Sequence, residues 1–300
     1  MRRIGRLWIV PLLFSLVWVA CGRALKTTSK VHIPPAYDKA QELGREELVE
    51  MVNTRYASIG SLTVSALSFR FQGRSMERGY LEKYPKAKAY FVTQRPDKIY
   101  VNILNPVTKS TLVAMASEEG SFQIWVPREN KYLTGLTDVR IESENPLHHV
   151  RPAHLIPAIL IEPIPSGDPN YRYFVKEDQD QDFKYYVLGV VELEAGSRAV
   201  QLRRRLWFER SSMHLVRQEY YDEGALISTM RYRKPLELVG KVLSSEIRVE
   251  RKHEHYEIQL DLDSRAIEVD RAIREGIFQL PQPPGAELVA LSRDERQLKD

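Results

Sequence analysis

The sequence predicts an α+β fold that is mainly antiparallel β-sheet, curled into a half-open barrel of about a dozen strands, with an N-terminal helix and a short apolar lid helix. Three observations favour this fold. Many short runs alternate apolar and polar residues, only a few turn-forming residues separate them, and one amphipathic helical pattern precedes them. Because parallel connections need a dozen or more residues, the short spacings predict antiparallel neighbours. Strongly twisted open sheets seldom exceed ~10 strands, so this sheet must curl.

The first residues have the layout of a secretory signal peptide. Three arginines within the first six residues precede an apolar segment at 7–20, which is followed by Cys21, the only cysteine of the chain. A membrane-spanning helix takes roughly 20 apolar residues, so this segment is too short for a retained anchor. We therefore predict a signal peptide at 1–20.

The end of this segment resembles the lipobox of bacterial lipoproteins, which is roughly Leu, a small residue, Ala or Gly, then Cys. Trp18-Val19-Ala20-Cys21 matches at Ala20 and Cys21, matches tolerably at Val19, and departs at Trp18. The resemblance implies that Cys21 is lipidated and anchors the mature protein, since several acyl chains together hold a membrane stably. Gly22 is not the aspartate of an inner-membrane retention signal, which favours the outer membrane, facing the periplasm. A plain signal peptide and an uncleaved anchor are the alternatives.

Charge and cysteine content restrict the function and the kind of fold. The chain carries 44 basic and 40 acidic residues, and removing the three signal-peptide arginines lowers its net charge from +4 to +1. A near-neutral domain argues against nucleic-acid binding, which needs a concentrated basic face. The basic cluster at 203–205 lies in an alternating pattern, and we interpret it as solvated or on an edge strand. Beyond Cys21 there is no cysteine, so the core must stabilise the fold without disulfides.

No internal linker divides the chain after the signal peptide, and the remaining length suffices for one substantial core. We predict a lipidated tether at 21–37, a single β domain at 38–291 and a disordered tail at 292–300. The domain begins with an amphipathic helix, because Leu48 and the apolar residues four and eight positions later share one face.

Strand patterns follow this helix. Leu62, Val64 and Ala66 alternate, and the alternation then restarts one residue out of phase at Leu67, which predicts a β-bulge. Further strand-like runs lie at 87–94, 97–104, 110–117, 121–127, 131–135, 171–178, 183–194, 199–210, 214–223, 225–234, 244–252 and 255–264. The segment 281–291 is predicted to be extended and packed at a sheet edge.

The exception lies in the middle of the chain. Residues 153–160 predict a short, strongly apolar helix that is interrupted near Pro157 and is too short to span a membrane. A curled sheet has a concave apolar face, and this helix is the segment available to cover it.

Four stretches together resemble the LolA/LolB-like superfamily of periplasmic lipoprotein carriers and related lipid-binding proteins. They are ELVEMVNTRYASIGSLTVSA, RPDKIYVNILNP, SEEGSFQIWVPRENKYLTG and FQLPQPPGAELVAL. The resemblance implies a half-open antiparallel barrel capped by helices, whose apolar lining receives acyl chains, and it places the segment 150–163 where a lid is expected.

A concave sheet can supply the apolar pocket that an acyl chain needs. The residues expected to line it are Leu62, Phe69, Tyr90, Ile99, Val101 and Ile103, and those expected on the lid are Leu155, Ile159 and Leu160. For each of them, ordinary core packing is the alternative, because a strand face that lines a cavity and one that fills a core look alike in sequence.

The sequence offers no catalytic or metal-binding signature. It contains no zinc, phosphate-binding or nucleophile motif, and no nucleophile with a base beside it. His253 and His255 are predicted to lie on one strand face, where alternate residues can share a metal, but no third ligand is indicated, so we expect no metal and no cofactor.

We therefore expect a non-enzymatic, lipid-anchored protein. Its partners would be the membrane, through Cys21, and acyl chains or lipoproteins as ligand, with no nucleic acid. The alternative is an interaction or envelope-sensor module on the same scaffold, with a protein of the envelope as its partner.

Overall fold

Part of the chain is described by the computed structural model. The described residues are 41–74, 80–137, 149–193 and 199–291. The predicted signal peptide, Cys21, the tether and the C-terminal tail lie outside them. Among the described residues, no helix combines the length and the apolar character that crossing a membrane requires.

The first helix, α1, spans Arg45–Met51 and continues as a π-helical turn at Val52–Tyr56, where the sequence predicts a regular helix. The Glu47 carboxylate accepts a hydrogen bond at 2.7 Å from the backbone N–H of Gly44, which caps the helix start. The predicted apolar stripe, which begins at Leu48, is buried in the core. The amphipathic pattern therefore identified both the helix and the face that it buries.

The second helix, α2, spans Pro152–Ile159, close to the predicted 153–160. The predicted interruption near Pro157 is wrong, because the helix continues through this residue. Pro157 lacks an N–H and so removes one helical hydrogen bond. The next turn still closes, since the N–H of Leu160 donates to the carbonyl of Ile156 at 2.8 Å.

The described part of the chain contains fifteen strands, which form one sheet. They are β1 Ser61–Arg74, β2 Leu81–Gln94, β3 Lys98–Leu104, β4 Thr111–Glu118, β5 Ser121–Val126, β6 Lys131–Leu136, β7 Tyr171–Gln179, β8 Lys184–Leu193, β9 Val200–Glu209, β10 Leu215–Asp222, β11 Ala225–Leu238, β12 Lys241–Arg251, β13 Tyr256–Leu262, β14 Ile267–Val269 and β15 Glu287–Leu291. Two 3-10 turns, Pro127–Glu129 and Ser264–Ala266, complete the elements.

The sheet is antiparallel almost throughout, as predicted. β1 lies near its centre, between β2 and β13, and the order runs β15-β6-β5-β4-β3-β2-β1-β13-β12-β11-β10-β9-β8-β7, with β14 also paired to β1. β15 is parallel to β6. The sheet curls around the helices. It does not close, because β7 and β15 at its two ends are not paired with each other. The predicted half-open barrel is confirmed.

The predicted bulge in β1 is also confirmed. The register against β2 shifts between Val64 and Leu67, where β1 contains one residue more than its partner. The extra residue restores the apolar side chains to the same face, so that Leu62, Val64, Leu67 and Phe69 are all buried. A second shift lies further along, between Phe69 and Phe71.

The two faces of the curled sheet are covered differently. α1, its π-helical turn and α2 pack on the inner face and complete the hydrophobic core. The segment 270–286 connects β14, which pairs with β1, to β15 at the edge of the sheet. The edge position of β15 agrees with the prediction for 281–291. The segment 270–286 crosses the outer face, where the Lys98 ammonium lies 5.9 Å from the centre of the Phe278 ring and the Tyr132 hydroxyl donates to the carbonyl of Leu280.

Two interpretations of charged and histidine residues need correction. β9 lies between β8 and β10, so the cluster at 203–205 is not on an edge strand, and Arg204 is buried on the inner face. Since side chains alternate along a strand, Arg205 reaches the outer face, whereas Arg203 lies at a register shift beside β8 and pairs with Glu192 at 2.6 Å. His253 and His255 lie in the turn between β12 and β13, not on a strand face.

Candidate functional site

The inner face brings together most of the residues expected to line a cavity. They belong to one hydrophobic cluster with α1 and α2, and their exposure is between 0 and 3%. These residues are Leu62, Phe69, Ile99, Val101 and Ile103. They are packed against other side chains, with α2 above them.

Tyr90 lies on the outer face, away from these five residues. Its neighbours Ala89 and Phe91 are buried on the inner face, and the Tyr90 ring lies 5.5 Å from the ring of Tyr100. Burial raises the pKa of Tyr90, and Tyr100 adds to this effect. The alternation around Ala89 and Phe91 is the sequence signal that places Tyr90 outside.

The lid helix α2 lies over β3, β4 and β12. Its expected core residues, Leu155, Ile159 and Leu160, have exposures of 1, 3 and 0% and join the cluster of the inner face. Their spacing puts them on the side of the helix that faces the sheet. The lid is therefore part of the core as well as its cover.

The N-terminal end of α2 is attached through a histidine. The Nδ1 atom of His154 and the hydroxyl of Tyr256 are hydrogen-bonded at 2.6 Å. Burial holds the pKa of His154 well below its usual 6.5, and the nearby cations of Arg251 and Arg151 act in the same direction. The Arg151 guanidinium lies 5.2 Å from the centre of the Phe122 ring, and burial lowers its pKa to about 10.

The C-terminal end of α2 is attached through backbone groups. Arg95 donates from Nη2 to the carbonyl of Ile161 at 2.5 Å and from Nε to the carbonyl of Ile59 at 2.8 Å. Asn53, on the π-helical turn, donates to the carbonyl of Ile164 at 3.1 Å and accepts from its N–H at 2.7 Å. These bonds attach the residues that follow α2 to the N-terminal helix and to the residues just before β1.

A group of polar side chains lies under the lid on the other half of the sheet. This polar cluster consists of Arg204 on β9, Gln218 and Tyr220 on β10, Tyr232 on β11, and Glu162 after α2. Arg204 Nη2 donates to the backbone carbonyl of Glu162 at 2.9 Å, and the Tyr220 hydroxyl donates to its carboxylate at 3.1 Å. This cluster is absent from the predictions, although Arg204 lies two residues before the apolar Leu206, a signal for a polar residue on an inward face.

Two surface clefts stand out among the described residues, and α2 lines neither of them. The larger, about 680 Å³, lies on the outer face between Glu118, Tyr132 and Phe278. The smaller, about 290 Å³, lies beside Tyr171 and Tyr173 at the β7 edge. Within the described part of the chain, no three histidine, cysteine or carboxylate side chains are placed to hold a metal ion together.

Some solved structures are similar to this chain at low sequence identity. No family model matches the chain, and no curated protein matches it. It is similar to the solved structure of a LolA superfamily protein from Nitrosomonas europaea, with 14% identity, a TM-score of 0.46, and coverage of 80% of this chain and 99% of that chain. It is also similar to a DUF1329 family protein from Desulfovibrio piger, with 14% identity, a TM-score of 0.48, and coverage of 82% and 98%.

The first structure belongs to the superfamily that the sequence resembles. At this identity and TM-score, nothing about a ligand or an activity follows from either similarity.

Proposed function

We propose that this protein is a lipid-anchored, periplasm-facing protein of the outer membrane that holds acyl chains, or the lipid part of lipoproteins, between α2 and the inner face of its sheet. The observation that supports the proposal is a separate apolar helix lying on a concave, mainly apolar face. Acyl chains need such a surface, with few polar groups along their length. The lipobox-like sequence at Cys21 is the basis for the membrane anchor.

Binding requires α2 to move, because the inner face is filled in the closed state. Exposing Leu155, Ile159 and Leu160 costs about 5–9 kcal/mol in total, at about 1.5–3 kcal/mol for each side chain. An acyl chain that buries about twelve methylene groups gains about 10 kcal/mol, at about 0.8 kcal/mol each. The two quantities are similar, so an acyl chain that would otherwise be exposed to water can replace the lid side chains.

Mass spectrometry of the full chain, extracted from its own membrane, tests this proposal. The expected result is a triacylated Cys21 at the N-terminus and about one equivalent of lipid retained after gentle detergent exchange. A triacylated protein without bound lipid would support the membrane anchor but contradict the carrier function. An unmodified and uncleaved N-terminus would contradict the predicted lipid anchor at Cys21.

A second function is supported by the dense packing of the same interior. The five lining residues on the inner face are at most 3% exposed, as in a core that never opens. The scaffold would then be an interaction or sensor module with one envelope protein as its partner. Crosslinking in intact cells separates the two functions, because a carrier traps many lipoproteins and a structural subunit traps one stable partner.

A further inference from the structure

The polar cluster contrasts with its surroundings on the inner face. Arg204, Gln218 and Tyr232 have exposures of 5, 0 and 4%, and they lie on the neighbouring strands β9, β10 and β11. The inner-face residues next to them, such as Leu206 and Met230, are apolar. Buried polar groups reduce stability unless they are hydrogen-bonded, so their presence under an apolar lid needs a cause.

Three polar atoms of this cluster lack hydrogen-bond partners. Among the described residues, nothing bonds to the Nε of Arg204, the Oε1 of Gln218 or the hydroxyl of Tyr232, and all three atoms are buried. Buried polar side-chain atoms are bonded in the large majority of cases. Two donors and one acceptor are thus available on neighbouring strands for a polar group that enters beneath the lid.

The charges around the cluster favour an anion. Two guanidinium groups, those of Arg204 and Arg95, lie near the carboxylate of Glu162, and the Asp270 carboxylate, which also acts on Arg95, is already paired with Lys241. Burial lowers the pKa of Arg95, and the charge of Arg204 acts in the same direction while Glu162 opposes it. With both arginines charged, the group carries one unbalanced positive charge.

Glu162 holds Arg204 only weakly through its carboxylate. The distance from Arg204 Nη1 to Glu162 Oε2 is 3.5 Å, whereas well-formed pairs of this kind measure about 2.7–2.9 Å. The Glu162 side chain, which follows α2 in the chain, is also half exposed. Another anion can therefore displace this carboxylate from Arg204 without leaving Glu162 buried and unpaired.

We infer that the polar cluster binds the anionic head group, a carboxylate or a phosphate, of a ligand whose acyl chain lies beneath α2. The inference rests on the proposed function and adds the class of ligand. Arg204 and Tyr232 donate to the anion, and the half-exposed Glu162 marks the side from which the head group reaches solvent. The acyl chain extends from there towards the lid residues.

The experiment uses the full chain, extracted from membranes and exchanged into amphipol, with amphipol alone as the blank. Three radiolabelled probes share an 18-carbon monounsaturated chain: oleate, oleoyl lysophosphatidic acid and the neutral oleyl alcohol. Wild type should bind at least one anionic probe more tightly than the alcohol. Arg204→Gln should weaken that binding about tenfold to a hundredfold and change alcohol binding by less than about twofold.

Arg205→Gln is the matched control, because it removes the same charge from the outer face of the same strand, where Arg205 packs on the Tyr221 ring, and it should leave all three affinities unchanged. Glu162→Gln provides a second readout if Arg204→Gln fails to fold, since its half-exposed side chain competes with the ligand. It should tighten binding of the anionic probes about threefold to tenfold.

The probe that binds more tightly distinguishes a carboxylate from a phosphate head group. Equal binding of the anions and the alcohol by wild type would overturn the inference and leave the proposed function standing. An equal loss of all three probes in Arg204→Gln, or unchanged anion binding in Glu162→Gln, would overturn it as well. If no probe binds to wild type, the proposed function fails, and this inference fails with it.

Discussion

The inner and outer faces of the sheet differ in what stabilises them. The inner face is covered by helices and consists of apolar side chains in a single cluster. The outer face carries ion pairs across neighbouring strands, such as Arg70 with Asp261 at 2.8 Å and Arg231 with Glu250 at 3.2 Å. Packing volume therefore governs the inner face, whereas the exposed ion pairs of the outer face contribute little.

Each face has exceptions to this division. The polar cluster interrupts the apolar inner face, and Phe278 is a buried apolar residue on the polar outer face. Phe278 has a structural explanation, because it attaches the segment 270–286 to the sheet. The polar cluster has unbonded atoms, and such local conflicts are expected where a protein binds a ligand.

The largest expected effect separates two neighbours on β2. Phe91→Ala should lower the free energy of unfolding by about 3–5 kcal/mol, because it leaves a cavity in the core. Tyr90→Ala, on the outer face, should cost about 1 kcal/mol and leave the binding of acyl probes unchanged. Chemical denaturation of both variants measures the difference. Similar losses in the two variants would show that the outer face is as tightly packed as the inner one.

The next effect concerns the attachment of the lid. Asn53→Ala removes both hydrogen bonds to the buried backbone of Ile164 and should cost about 2 kcal/mol. It should also speed hydrogen exchange in α2 and the residues that follow it. Thr54→Ala is the control, because the Thr54 hydroxyl bonds only to carbonyls of its own helix, Glu50 and Met51. Equal exchange in the two variants would mean that the lid does not depend on Asn53.

Local patterns in the sequence predicted the elements that depend on local chemistry. The stripe starting at Leu48 located α1, the phase change at Ala66 located the bulge, and short turns gave the antiparallel order. Tyr90 was placed with the lining residues although it alternates with the buried Ala89 and Phe91. Register decides the face of a strand residue, and aromatic character alone does not.

Long-range features could not be predicted in this way. Arg204 was interpreted as solvated because arginines rarely become buried, and only the position of Glu162 after α2 gives it partners. The π-helical turn that carries Asn53 has no signature in a run of helix-compatible residues. Both features depend on contacts between residues far apart in the chain, and these contacts create the candidate site.

Acidification should weaken the N-terminal attachment of the lid. The folded protein holds the pKa of His154 well below 6.5, so the unfolded chain binds more protons between these two pKa values, and stability falls as pH is lowered. Between pH 7.5 and 5.5, wild type should lose up to about 1.4 kcal/mol more than His154→Gln, which cannot titrate there. Urea denaturation at the two pH values measures the difference. Equal losses in the two proteins would show that His154 takes up no proton on unfolding.

The smallest expected loss of stability comes from a substitution on the outer face. Arg70→Gln removes an exposed ion pair with Asp261 and should cost at most about 0.5 kcal/mol, because solvent screens both charges and their side chains lose freedom on pairing. Even this small cost should shrink as salt is added, whereas the cost of Phe91→Ala should persist. Denaturation at low and high ionic strength measures both. A salt-resistant loss above about 1.5 kcal/mol would show that the ion pairs of the outer face stabilise the sheet as a network, and the two faces would then no longer differ in kind.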